Sequence, residues 1–304
     1  MKQFKVIGVG EVLWDLLPSG PQLGGAPTNF AYHAHALGAR AAVISRIGRD
    51  DYGRDSLARL SAMGLPEETI QVDERAPTGT VLVALSKDGV PHYTIQEGVA
   101  WDRLEVSASA LEAVYDADVV CFGTLAQRDP ISRAAIQRLL AAASASALRV
   151  LDINLRQHFY TREIITDSLA LSNVLKVNEG ELAFLAEMFD LAGGERARIS
   201  RLAERYRLRV VACTRGERGS VLFSEGRWSD HPGEPSAVVD TVGAGDSFTA
   251  AMVLGLLAGW DLDVINRRAN EVAAFVASCA GATPELPDRL RLPFNPKPPS
   301  QSTP

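Results

Sequence analysis

The stretch that decides the fold is AVVDTVGAGDSFTAAM, which runs from Ala237 to Met252. Val238 and Val239 form an apolar pair that predicts the end of a strand, and Asp240 follows them. A Gly-Ala-Gly bend then leads to a second acid, Asp246, and to an apolar pattern that predicts a helix. A helix that begins at such a bend leaves backbone N–H groups unpaired, with the positive end of its dipole behind them. The stretch therefore predicts a cradle for a phosphate group.

Two carboxylates beside a phosphate cradle need a reason, because phosphate repels them. The usual reasons are a proton to remove or a cation to hold. For Asp246 the alternative is an acid that the helix dipole favours at a helix N-terminus. For Asp240 the alternative is a side chain that caps the turn at Thr241. The small residues of the bend are Gly243, Ala244 and Gly245.

The composition is that of an ordinary globular protein. The chain has 304 residues, of which 46% are hydrophobic and 22% are charged. It carries 31 Lys and Arg against 37 Asp and Glu, and this net charge of −6 argues against nucleic acid or an acidic membrane as the main partner. No uncharged apolar run reaches the length of a membrane span. Three scattered cysteines predict reduced thiols and a cytoplasmic protein: Cys121, Cys213 and Cys279.

Strand-like and helix-like segments alternate from about residue 37 onward, and the strands are almost continuously apolar. This alternation predicts an α/β fold, a three-layer sandwich in which helices cover both faces of a mostly parallel sheet. Segments at about 11–25 and 76–98 break the rhythm, and Lys87-Asp88-Gly89 predicts a hairpin turn. They predict a small β-strand lid over an open pocket. Residues 1–294 predict a single domain, and the Pro/Ser-rich residues 295–304 predict a disordered tail.

Several other kinds of site are excluded by the sequence. A Walker-A nucleotide site needs Gly-Lys before Ser or Thr, and no lysine of this chain follows a glycine. The first strand is followed by Leu13 where a dinucleotide fingerprint has its third glycine, which argues against NAD. His33 and His35 are two residues apart on a predicted helix, so they point to different sides and are poor joint metal ligands.

Six motifs along the chain carry a family resemblance. The strongest is DTVGAGD, Asp240 to Asp246, which matches the pattern Asp-Thr-x-Gly-Ala-Gly-Asp. The five weaker ones are GGAPTN (Gly24 to Asn29), IGRDDYG, KVNEGE (Lys176 to Glu181), TRGERG (Thr214 to Gly219) and ANEVAAFVASCAGA. In this order, and from residue 8 to about 290, the chain resembles the ribokinase-like (PfkB-type) sugar kinases. The resemblance implies the ribokinase-like fold with its small β-strand lid.

The resemblance implies that Asp246 is the catalytic base for a sugar hydroxyl that attacks the γ-phosphate of ATP. It implies that the bend offers N–H groups to the transferring phosphoryl group through Gly243, Ala244 and Gly245. The residues implied to bind the sugar are Asp15, Gly25, Asn29 and Arg156. For Asn29 the alternative is a helix cap, and for Arg156 it is a surface ion pair.

A nucleotide site and metal ions are also implied by the resemblance. The residues that would bind ATP are Thr214, Gly216, Gly219, Asn270, Gly281 and Ala282. Asn178 and Glu181 would hold Mg²⁺ through water, and Asp240 would border a K⁺ site. The alternative for Asn178 and Glu181 is a helix N-terminus with a favourable acid. Arg215 departs from the family pattern, which more often has an apolar residue there.

Three stretches resemble fructokinases within the family: GGAPTNFAYH, FGTLAQR (Phe122 to Arg128) and DINLR (Asp152 to Arg156). They predict an ATP-dependent sugar kinase that phosphorylates D-fructose. The open alternatives are a kinase for 2-keto-3-deoxygluconate, ribose or a nucleoside, and an inactive regulator that binds a sugar or a nucleotide. The exposed edges of the lid strands predict a homodimer.

Overall fold

The computed structural model describes residues 3–85 and 91–291. The strands within these ranges are β1 (Lys5–Val9), β2 (Leu13–Leu17), β3 (Gly20–Gly24), β4 (Arg40–Gly48), β5 (Ile70–Asp73), β6 (Gly79–Leu85), β7 (Pro91–Ile95), β8 (Val119–Phe122), β9 (Leu148–Asp152), β10 (Val174–Asn178), β11 (Val210–Thr214), β12 (Ser220–Ser224) and β13 (Arg227–His231). The α-helices are α1 (Ala26–Ala36), α2 (Asp51–Ala62), α3 (Ala108–Tyr115), α4 (Pro130–Ala142), α5 (Arg162–Leu171), α6 (Glu179–Met188), α7 (Glu195–Tyr206), α8 (Ala244–Leu257), α9 (Leu262–Ala277) and α10 (Asp288–Arg291).

The large central sheet has nine strands in the order β13-β12-β11-β10-β9-β8-β1-β4-β5. Its strands from β11 to β5 run parallel to their neighbours, and β12 and β13 add an antiparallel edge. Side chains of β1 alternate between the two faces, because Ile7 and Val9 enter one core cluster and Val6 enters the other. Helices α3 to α7 cover the first cluster, and α1, α2, α8 and α9 cover the second. The predicted three-layer α/β sandwich is confirmed.

A separate small sheet has four strands in the order β3-β2-β6-β7. Its strands lie in the two segments that break the sequence rhythm, and β6 and β7 pair as an antiparallel hairpin. Val81 and Val83 are buried, whereas Leu82 between them is 54% exposed, so one face of this sheet is covered and the other is open. The predicted hairpin turn Lys87-Asp88-Gly89 lies outside the described residues, and so does the predicted tail 295–304.

One predicted strand is wrong. Val238 and Val239 lie in an irregular segment between β13 and α8, and they are 58% and 65% exposed. No sheet strand pairs with this segment in the described chain; the N–H groups of Val239 and Asp240 donate instead to Ala277 O at 2.9 and 3.2 Å. An apolar pair forms a strand only where a neighbouring strand is available to pair with it.

Two further expectations concern the cysteines and the membrane. All three cysteines are free thiols, with Cys121 and Cys213 buried in the core. Across residues 3–85 and 91–291, no helix combines the length and the apolar character that crossing a membrane requires.

Candidate functional site

A cavity of about 790 Å³ opens where the parallel strands end. Its walls come from the loop after β11, the first turn of α8 and one side of α9. Ligands of open α/β sheets bind at this carboxyl edge. The structure brings six of the predicted residues together in its lining, which are Thr214, Gly216, Gly219, Ala244, Gly245 and Asn270.

The bend at the start of α8 has a backbone that requires glycine. Gly243 is the N-cap of α8 and has a φ of +79°. A Cβ at this position would lie 2.3 Å from the carbonyl oxygen of Ala282, so a larger residue has both an unfavourable backbone and no space. The first N–H groups of a helix lack intrahelical acceptors. Ala244 and Gly245 of this turn line the cavity, and the N–H of Ala244 lies 3.3 Å from the carbonyl oxygen of Thr241. The bend therefore has the geometry of an anion cradle.

Asp246 lies in the first turn of α8 and contacts the first helix of the chain. Its Oδ2 accepts a hydrogen bond from Asn29 Nδ2 at 2.8 Å. Burial, reinforced by the charge of Asp152, raises the pKa of Asp246 to about 6, against the opposing effect of the Asn29 hydrogen bond. A carboxyl group with this pKa is mostly ionised at neutral pH and accepts a proton readily.

Asn29 does not cap a helix, so the alternative considered from the sequence is wrong. The N-cap of α1 is Gly25, and Asn29 lies one turn inside the helix. Its Oδ1 is buried without a hydrogen-bond partner in the described part of the protein. A buried amide oxygen with no partner is costly unless a ligand donates to it.

Asp15 lies in the small sheet, and the charge of Arg156 acts on both Asp15 and Asp246. Burial raises the pKa of Asp15, on β2, to about 6, and the positive charge of Arg156 opposes this rise. The exposed guanidinium of Arg156 approaches the carbonyl oxygen of Leu155 at 3.4 Å. The surface ion pair considered from the sequence is not seen among the described residues. Arg156 therefore presents a positive charge to a group of carboxylates.

Glu11 belongs to the same group of acids and was not predicted. It is buried, burial raises its pKa to about 7, and its Oε1 accepts from the backbone N–H of Ala26 at 3.2 Å. The contact fixes the start of α1, the helix that carries Asn29. The available signal was its position directly after the first parallel strand, at the edge where ligands bind.

The nucleotide-loop motif forms a tight turn after β11, in which the N–H of Arg215 donates to Gly219 O at 2.7 Å. The guanidinium of Arg215 pairs with Glu195 at 2.6 Å and with Asp230 at 2.9 Å. These two carboxylates neutralise the charge of Arg215, for which the sequence alone offered no role. Arg215 therefore stabilises the loop from outside the cavity.

The other predicted nucleotide residues lie on and after α9. Asn270 donates through Nδ2 to Ser220 Oγ and to Asn266 O, both at 2.8 Å, so its amide nitrogen is engaged within the protein. Gly281 and Ala282 follow α9 and do not line the cavity; the carbonyl oxygen of Ala282 lies against Gly243 of the bend. Asp240 links these parts, because its Oδ1 accepts from Val242 N at 3.0 Å and its Oδ2 from Gly281 N at 3.1 Å.

Asn178 and Glu181 form a reciprocal capping box at the start of α6. Asn178 Oδ1 accepts from Glu181 N at 2.9 Å, and Glu181 Oε2 accepts from Asn178 N at 2.8 Å. Glu181 Oε1 also accepts from Leu155 N at 3.0 Å. The described residues contain no group of three His, Cys, Asp or Glu that could hold a metal ion directly. The helix N-terminus considered from the sequence is therefore present, and these oxygens fit Mg²⁺ only through water.

Comparison with known proteins gives a family match and individual relatives. A sequence profile described as "pfkB family carbohydrate kinase" matches residues 21–289. A fructokinase of Klebsiella pneumoniae is 29% identical over 300 residues, covering 93% of this chain and 96% of that protein.

Two solved structures extend the comparison. An uncharacterized sugar kinase of Pyrococcus horikoshii, in complex with ATP, is 26% identical and has a TM-score of 0.76, covering 91% of this chain and 94% of that one. A 2-dehydro-3-deoxygluconokinase of Thermotoga maritima has a TM-score of 0.81 at 16% identity, covering 96% and 98%. The second likeness shows the fold alone.

Proposed function

The chain belongs to the pfkB family of carbohydrate kinases, and we propose that within this family it is an ATP-dependent fructokinase. Membership makes it a phosphotransferase that acts on a sugar. The observation that carries the proposed site is the hydrogen bond of 2.8 Å between Asn29 Nδ2 and Asp246 Oδ2. It joins the Gly-Gly-x-x-x-Asn motif to the acid of the phosphate cradle, and transfer requires this proximity of the two substrates.

In the proposed reaction, Asp246 takes the proton from the sugar hydroxyl that Asp15 and Asn29 orient. That hydroxyl oxygen forms a bond to the γ-phosphorus of ATP, and the bond from this phosphorus to the bridging oxygen breaks. ADP leaves with the bonding electrons. The N–H groups of the bend, from Gly243 to Gly245, stabilise the negative charge on the transferring group, which is the main catalytic contribution in phosphoryl transfer. The ATP contacts predicted from the sequence complete the proposed site.

We infer that Mg²⁺ is held chiefly by the phosphates of ATP, with Asn178 and Glu181 reaching it through water. Each oxygen of Glu181 retains a lone pair beside its backbone hydrogen bond, which supports an outer role. When bound, Mg²⁺ would neutralise part of the negative charge of the phosphates. For K⁺ we propose the neighbourhood of Asp240, whose carboxylate organises the loop segments on both sides of the bend.

The charges near Asp246 support a neutral sugar over a sugar acid. Glu11 and Asp15 contribute two carboxyl groups to this side of the site, against the single guanidinium of Arg156. With pKa values of about 6, Asp15 and Asp246 are mostly ionised at neutral pH and would repel a substrate carboxylate in a partly buried site. Glu11, with a pKa of about 7, is about half ionised and adds a weaker repulsion. Fructose offers hydroxyl groups to the same acids and to the unpartnered Oδ1 of Asn29.

D-fructose is therefore expected to be the best substrate of the purified protein. The measurement is kcat/KM in an ADP-release assay with ATP and fructose, 2-keto-3-deoxygluconate, ribose and a nucleoside. A higher kcat/KM for the keto acid or the nucleoside would contradict the proposed substrate and leave the family unchanged. Absence of turnover with every acceptor would favour the inactive regulator.

We propose that the small sheet acts as a lid over the sugar. Gln157 Nε2 donates to Tyr93 O on β7 at 2.6 Å, and this polar contact is one that a closing sheet can make and break. Trp14 Nε1 on β2 donates to Tyr52 O and Ser56 Oγ of α2 at 3.0 and 2.9 Å, which ties the other side of the sheet to the main domain. Hydrogen exchange in β2, β3, β6 and β7 is expected to slow when fructose is bound, because closure excludes water. The buried strand β8 serves as the internal control. Equal exchange of the small sheet in both states would mean that it is fixed structure.

The open face of the small sheet, with Leu82 exposed, supports the proposed homodimer through the lid strands. The three free thiols support a reducing compartment, and we propose the cytoplasm.

A further inference from the structure

A buried lysine lies beneath the phosphate cradle. Lys176 is in the apolar strand β10 and is 7% exposed. A buried ammonium group is costly unless a carboxylate pairs with it. Its partner is Asp152, at the carboxyl end of the neighbouring strand β9, with Nζ 3.1 Å from Oδ1.

The ion pair is tied to the first turn of α8. Thr249 Oγ1 lies 2.9 Å from Asp152 Oδ2 and 3.0 Å from the carbonyl oxygen of Gly245, so its single proton is shared between them. A Cβ added to Gly245 would lie 2.9 Å from Lys176 Nζ. The ammonium therefore lies directly beside a glycine that lines the cavity.

An ion pair of this kind is poor evidence for a purely structural role. Replacement of a buried pair by apolar residues of similar volume is often neutral or stabilising, because both charges lose their hydration. The position of the Lys176–Asp152 pair, directly beside the bend, points to a role in catalysis. Phosphoryl transfer gathers negative charge at the bend, and a fixed cation nearby in a dry environment stabilises that charge.

We propose that Lys176 is a positioning residue for phosphoryl transfer, whose ammonium, fixed by Asp152, places a permanent positive charge beside the cradle and keeps Asp246 ionised. The inference rests on the proposed function. In this proposal Lys176 does not touch the substrates; it acts through the electrostatic field of its ammonium group at Gly245 and Asp246.

The charges that face Asp246 come from several elements. Besides the amide of Asn29 on α1, they are Glu11 after β1, Asp152 on β9, Arg156 after β9 and Lys176 on β10. Burial is the main cause of the raised pKa of Asp246; the charge of Asp152 raises it further, and the charges of Lys176 and Arg156 lower it. Removal of Lys176 should therefore raise the pKa of Asp246, and removal of Asp152 should lower it.

The test is the pH dependence of kcat/KM for the best sugar substrate, in Lys176→Met and Asp152→Asn. Protonation of Asp246 contributes to the acid limb, since a protonated base cannot accept the hydroxyl proton. Glu11 and Asp15, with pKa values of about 7 and 6, also titrate in this range, so the shift of each variant from the parent, and its sign, is what is read. The acid limb is expected to move to higher pH by about one unit in Lys176→Met and to lower pH in Asp152→Asn. We expect kcat of Lys176→Met to fall about 100-fold, the effect of losing one stabilising group.

The double variant Lys176→Met/Asp152→Asn controls for folding, because it removes both charges of the ion pair together and leaves neither partner buried alone. Its acid limb is expected near that of the parent, with kcat still reduced. Parental kcat in the folded double variant, or a shift of both single variants in the same direction, would overturn the inference. A parent that prefers another sugar would refute only the proposed substrate, because the same variants are then measured with that sugar. A parent inactive on every sugar would overturn both.

Discussion

Replacement of Asp246 by Asn is expected to lower kcat by about 10²–10⁴, the usual contribution of a general base. The amide keeps the size of the side chain, and its oxygen can still accept from Asn29 Nδ2, but it cannot take the hydroxyl proton. Affinity for ATP should hold or improve slightly, because a negative charge beside the phosphates is removed. The measurements are steady-state kcat with fructose and calorimetric Kd for ATP.

Asp263→Asn is the matched control for this substitution. Asp263 is an exposed acid in the first turn of α9, the helix that follows α8. Its replacement removes the same favourable dipole interaction without touching the cavity, so kcat should stay close to that of the parent. Turnover of Asp246→Asn within about threefold of the parent would mean that Asp246 only favours the helix N-terminus, contrary to its proposed role as base.

Gly243→Ala is expected to lower kcat/KM for ATP by about 100-fold or more, the scale of losing one preorganised donor. The backbone at φ +79° disfavours alanine, and the new Cβ would collide with the carbonyl oxygen of Ala282 at 2.3 Å. Relief of this collision would move the bend, so that its N–H groups no longer point to the proposed position of the phosphoryl group. Initial rates over a range of ATP concentrations measure the effect.

Gly259→Ala separates the backbone cost from the displacement. Gly259 follows the other end of α8 with a φ of +69°, and no atom lies within 4 Å of an added Cβ. Both variants pay the left-handed backbone cost of about 1–2 kcal/mol. Only Gly243→Ala should lose activity beyond its loss of stability. Equal activity losses in the two variants would remove the support for a phosphate cradle at Gly243.

The sequence predicted the layered fold because local patterns determine it. Strands buried on both faces of a parallel sheet are almost continuously apolar, and VLKVN and RVVACT show this directly. Val238 and Val239 have the same local character but find no partner strand, and no local pattern records the presence of a partner. The edge strand β13 was not predicted because its sequence, RWSDH, is mostly polar, as edge strands tend to be. The antiparallel strand β12, SVLFS, is apolar and was also not predicted.

The candidate site was predicted where it lies in short motifs. The bend from Gly243 to Asp246 has a backbone that only small residues adopt, so its residue types reveal it. Glu11 belongs to none of the motifs. Lys176 is the first residue of KVNEGE, but the motif match concerns Asn178 and Glu181, and the proposed role of Lys176 comes from its burial and from a partner far away in the chain. Lys176 offered one signal, a lysine inside an apolar strand, which requires a buried carboxylate that the sequence does not identify.

The most direct test of the proposed mechanism is a rapid-quench single turnover with the enzyme in excess over γ-labelled ATP and with saturating fructose. The parent is expected to transfer the label to fructose in one phase. Asp246→Asn is expected to bind ATP and leave it intact on that timescale. Formation of labelled sugar phosphate by Asp246→Asn at the parental rate would contradict the assignment of Asp246 as the base, and label released as inorganic phosphate by the parent would contradict transfer to the sugar.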